Sequence, residues 1–148
     1  MNFRLFLAQL MLYSVNIKDL HWLVHGEEFD SVHNGVTNEY HDKICEDIDY
    51  IAEVLLRNGE EPLNMPEAVR LTETANRKFV IVDTGKLYGK VEVYQYLQKM
   101  LQDIKLSIEF LIKSLEDDIK QVGIKSTLEA MHEWYDLQAR FLNKRRLS

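Results

Sequence analysis

One cysteine and two prolines are all that this 148-residue chain holds of the residues that staple or break a backbone. With Cys45 alone, no internal disulfide can form, and a reducing, cytoplasmic setting is the expectation. Both prolines, Pro62 and Pro66, fall in one stretch, so nothing interrupts the patterned segments on either side. Long apolar runs are missing too: none approaches the ~18 or more residues of a membrane span. The apolar start, Met1 to Tyr13, lacks a small-residue cleavage site and reads as a structural helix. An excess of positive charge is also absent. The net charge of -6 argues against nucleic-acid binding by the whole surface and suits the gathering of cations. The exception is a small basic cluster at the C-terminus, Lys144, Arg145 and Arg146.

What the chain does have is helical periodicity. Phe3, Phe6, Leu7, Leu10, Tyr13, Ile17, Leu20 and Val24 recur at threes and fours, predicting a helix over 3–25 that Gly26 ends. A short loop leads to a second helix over 31–57, with Gly35 predicting an irregular turn near its start. Residues 60–90 are the least regular part, with a short helix over 66–72 begun by Pro66. Phe79 to Val82 has strand-like composition but no second strand to pair with, so an extended loop is expected. Two further helices follow over 91–119 and 125–144, separated by Gly123. Two tightly joined helices, a long crossover and two more tightly joined helices make one all-α domain, a four-helix bundle of ferritin-like arrangement.

The chemistry is concentrated in Leu20 to Glu53, which carries four of the five histidines. His21 and His25 are one helical turn apart, as are Asp49 and Glu53, and His33 follows the first loop. Imidazoles and carboxylates are the ligand set of a redox-active first-row metal such as iron. At about 1.5 Å per residue, however, Asp49 and Glu53 stand more than about 20 Å from His33 along the second helix. Either the two groups are unrelated, or they meet across a two-fold axis, where the histidine end of one subunit faces the carboxylates of another.

Leu20-His21-Trp22-x-Val24-x-Gly26, Phe29-Asp30-Ser31-Val32-His33 and Asp49-x-x-Ala52-Glu53 together resemble the Dps proteins, small ferritins named as DNA-binding proteins from starved cells. The resemblance implies a hollow homododecamer that detoxifies and stores iron. Fe(II) would be held by His21 and His33 of one subunit and by Asp49 and Glu53 of its neighbour, with Trp22 and His25 beside them. Such a ferroxidase would use hydrogen peroxide or dioxygen as oxidant. The sequence departs from the pattern in four places, one of them His25 where the family often has a basic residue. His33 to Asp49 is sixteen residues where the family usually has fifteen, an insertion placed near residues 34–38. The acidic residue usual four places after the second histidine is absent, with Thr37 or Asn38 in its region, and Val54 stands where the family has arginine. DNA binding is not expected, because Met1 to Arg4 enters the first helix directly and only Lys144, Arg145 and Arg146 are placed to meet phosphates. Two other readings stay open: an intrasubunit ferritin-type site using Glu129 and His132, and a metal-free helical or DNA-associated cage.

Overall fold

In a computed structural model that describes residues 1–147, and side chains as far as residue 144, the chain is an all-α bundle. Helix α1 spans Phe3–Leu23 and starts on Asn2, whose side chain accepts the Leu5 N–H at 2.8 Å. It stops at Leu23, short of the expected residue 25, because the backbone there finds partners outside the helix. The Tyr88 N–H donates to the Leu23 carbonyl and the His25 N–H to the Tyr88 carbonyl, both at 2.9 Å. These bonds fasten the end of α1 to the end of the crossover.

A π-helical segment, Ser31–Thr37, runs directly into α2, Asn38–Arg57. The crossover helix α3, Met65–Thr74, begins with a reciprocal Asn64–Glu67 capping box. Helix α4 covers Lys90–Ser114 and α5 covers Val122–Leu147. Two expectations need correction here. Helix α4 ends at Ser114 and not at 119, and Gly123 lies in the first turn of α5 and does not separate the helices. The break falls at Leu115 to Asp118, where the Asp118 carboxylate accepts the Lys120 N–H at 3.1 Å and caps one 3-10 turn.

Helix α1 packs along α2, α4 along α5, and α3 lies on α1, all drawing on one apolar core. Among the described residues there is no strand. The Phe79 to Val82 run is extended and tied to a side chain, the buried Asn16 of α1. Its amide donates to the Phe79 carbonyl and its oxygen accepts from the N–H groups of Ile81 at 3.1 Å and Val82 at 3.2 Å. Asn16 thus serves as the partner that an isolated strand lacks.

Between α2 and α5 the Tyr135 hydroxyl donates to Asp47 at 2.6 Å, and Lys43 pairs with the other carboxylate oxygen at 3.0 Å. Burial raises the Asp47 carboxyl above its usual 3.8, against the lowering influence of Tyr135 and Lys43. A raised folded-state value means that the group's contribution is most favourable below the unfolded pKa and is lost as pH rises through the folded one. Tyr135→Phe strips a donor from this carboxylate and should cost about 1–3 kcal/mol at neutral pH. The loss should shrink as acid protonates Asp47. Urea denaturation at pH 7 and near pH 4 checks this, and a pH-independent loss would contradict it.

Candidate metal centre

The end of α1 and the π-helical segment bring two histidines into contact. A π-helix holds an extra residue in its turn, and such widened turns recur at functional sites. Here the irregular turn predicted at Gly35 takes the form of seven π-helical residues, in the region where the sequence pattern places its insertion. The Thr37 hydroxyl lies within reach of two carbonyls of the preceding turn, Val32 at 3.0 Å and His33 at 2.9 Å, and steadies the widened backbone.

His33 and His21 stack with ring centroids 3.6 Å apart and planes inclined by 16°. Phe29 covers the other face of His33 at 4.7 Å. Hydrogen bonding sets the tautomers. The His33 Nδ1 lies 2.6 Å from the His21 carbonyl, which can only accept, so Nδ1 carries the proton. The His21 Nδ1 lies 2.8 Å from the Thr37 hydroxyl oxygen. That hydroxyl has one proton, already directed at a backbone carbonyl, so its oxygen accepts from His21 Nδ1–H. Both imidazoles therefore keep the Nε2 lone pair free, which is the arrangement of a metal-ligating histidine held from behind. Burial lowers the His21 pKa first, with the neighbouring His33 and Lys18 lowering it further. His21 stays neutral, the form that ligates, into mildly acidic solution. A ligated ion lies near the ring plane, and the two planes are nearly parallel, so a single ion cannot lie in line with both imidazoles.

The carboxylates are elsewhere. Asp49 and Glu53 are exposed, one turn apart on α2. Among the described residues no group of three or more histidine, cysteine, aspartate or glutamate side chains is close enough to hold a metal within one chain. Trp22 is 63% exposed with the Lys18 ammonium 6.0 Å from its ring, so it does not pack into this chain's core. His25 is exposed beyond the end of α1. Glu129 is exposed on α5, and His132 pairs with Glu109 of α4 at 3.0 Å. Lys144 is exposed, whereas the side chains of Arg145 and Arg146 lie outside the described residues.

Two contributors to this site carry no ligand signature. Thr37 is marked in the sequence only as a missing acid, four residues after His33, and Phe29 only as part of a motif. Their contacts depend on the π-helical turn, which no periodicity announces.

The outer faces of α1 and α2 form one surface. On α2 the residues His41, Cys45, Asp49 and Glu53 follow each other at intervals of four, a single ridge. Beside this ridge stand exposed apolar side chains, Leu56 on α2 and Val15 and Trp22 on α1. Lys18 of α1 acts electrostatically on His21, His41 and Cys45, so the ridge lies against the α1 side.

No protein-family model matches the sequence, and no curated protein matches it. Solved structures do resemble it. Antigen TpF1 from Treponema pallidum superposes with a TM-score of 0.86 at 19% identity, covering 99% of this chain and 89% of that one. Dps from Listeria innocua gives 0.84 at 19% identity, covering 100% and 99%. A Dps protein from Vibrio cholerae O1, described as a member of a broad superfamily of ferritin-like diiron-carboxylate proteins, gives 0.81 at 15% identity, covering 96% and 84%. The chain has the ferritin-like fold of these proteins. No described helix is long and apolar enough to cross a membrane.

Proposed function

We propose that this chain is a divergent Dps-type ferritin that assembles as a cytoplasmic homododecamer and oxidises Fe(II) at sites shared between two-fold-related subunits. The observation that carries this reading is the pair of stacked imidazoles. Each is tied at Nδ1 and open at Nε2, at one end of a face whose other end presents Asp49 and Glu53. An antiparallel copy laid on that face brings its carboxylates to the histidines of the first, and the same contact recurs symmetrically. It also covers Trp22 and Leu56, which are exposed in a single chain.

In this arrangement Fe(II) is the substrate. His21 and His33 hold one iron each in parallel ring planes, and the partner's Glu53 bridges them while the partner's Asp49 completes the anionic side. Hydrogen peroxide takes one electron from each of two Fe(II) ions, and the Fe(III) formed hydrolyses to oxyhydroxide with release of protons. Dioxygen is the alternative oxidant. The mineral is stored in the hollow of the cage. His132 is tied through Nε2 to Glu109, and among the described residues no third histidine, cysteine, aspartate or glutamate joins the pair.

Light scattering and anaerobic Fe(II) titration test the proposal together. The expected result is a dodecamer that binds up to two Fe(II) per chain and oxidises them when peroxide is added. A monomer, or an assembly that takes up no iron, would overturn it.

A further inference from the structure

Between the two proposed iron sites, the same α2 ridge carries a second set of metal-ligating side chains that iron oxidation does not use. His41 and Cys45 are one turn apart, and the Cys45 sulfur lies 3.7 Å from Nδ1 and 3.8 Å from Nε2 of His41. Two ligands of one tetrahedral ion with bonds of about 2.0–2.3 Å stand roughly 3.6 Å apart. The pair is thus already spaced as one edge of such a site. Cys45 is exposed and His41 half-buried, so both are open to a partner on that face.

The second edge comes from the two-fold, and this step rests on the proposed intersubunit reading. In two antiparallel helices, the register that sets His33 of one copy level with Asp49 and Glu53 of the other fixes the axis midway between them. That midpoint falls beside His41 and Asp42. His41 and Cys45 of each copy then lie within about one helical turn of the axis, some 6 Å or less. Helices in contact stand about 8–10 Å apart. Imidazole and thiol side chains span half that separation, so four donors converge on the axis.

We propose that His41 and Cys45 of two subunits form one Cys2His2 site for a divalent zinc-class ion on the two-fold axis. With four protein ligands and no open position it is a structural clamp on the subunit pair. Two thiolates select a softer ion than the oxygen-rich iron sites do, so the two kinds of centre discriminate by chemistry. Binding breaks two S–H bonds and forms two metal–sulfur bonds, and the two protons go to solvent; no electron moves. Thiol ligands bind such an ion as thiolates, so the metal displaces their protons.

Cobalt(II) titration of the reduced, metal-stripped assembly under anaerobic conditions tests this. The expected result is a thiolate-to-cobalt charge-transfer absorption with tetrahedral d–d bands, saturating at half an equivalent per chain. Cys45→Ser, an exposed and near-isosteric change, should abolish the charge-transfer band and leave Fe(II) oxidation intact. His41→Gln should keep the band, shift the d–d pattern and weaken cobalt binding. Glu53→Ala should keep the cobalt site while losing iron oxidation, which separates the two proposals. An assembly that oxidises iron but shows no thiolate band, a band that survives Cys45→Ser, or a Cys45 disulfide pair that forms without any cobalt site would overturn the clamp alone. A monomer with neither activity would overturn both.

Discussion

Glu53→Ala should lower the rate of the proposed Fe(II) oxidation by more than about 100-fold, beyond the 10–100-fold that loss of an outer hydrogen-bond partner commonly costs a metal site. The size of the effect follows from the ligand set. Each proposed site draws its negative charge from Asp49 and Glu53, since imidazole ligands carry none, and Glu53 is the proposed bridge between two ions. Removing it leaves the product Fe(III) with one carboxylate. The assembly should survive, because Glu53 is exposed on α2 and its removal takes no buried group from the core. The measurement is peroxide-driven Fe(II) oxidation beside light scattering on the same sample. An unchanged rate would move the chemistry elsewhere, and His132→Ala would then be the next variant to assay.

Thr37→Val should weaken the proposed anaerobic Fe(II) binding by about 10–100-fold, with a loss of about 1–3 kcal/mol in stability. Valine fills the same space, so packing is conserved and the effect is that of the hydroxyl alone. Without it the buried His21 Nδ1–H has no acceptor, and the tautomer that frees Nε2 is no longer favoured. The carbonyls of Val32 and His33 also lose their shared donor, which loosens the π-helical turn that seats His33 under His21. Thr37→Ser keeps both hydrogen bonds and should restore most of the iron affinity. Fe(II) titration and urea denaturation of the two variants separate orientation from packing. If serine binds iron as poorly as valine, the hydroxyl is not what positions His21.

Much of this protein is legible in its sequence. The recurrence of apolar residues at threes and fours forces helices, since only that face can be buried at 3.6 residues per turn. A crossover of about thirty residues, with no partner for its one strand-like run, then selects the bundle. The donor types in Leu20 to Glu53 suit a first-row metal, and the helical rise alone separates His33 from Asp49. Contacts between distant segments were a different matter. That Asn16 would hold the backbone of Phe79 to Val82, or that the Leu23 and Tyr88 backbones would pair and end α1 early, depends on surfaces meeting across the fold. The extra residue between His33 and Asp49 reads in the sequence as a disturbance of the pattern. The tertiary structure takes it into a π-helical turn, in which the Thr37 hydroxyl meets the His21 ring and the carbonyls of Val32 and His33. Composition supplies the imidazoles and carboxylates that the proposed iron site uses. Packing decides which nitrogen of His21 and of His33 is tied from behind.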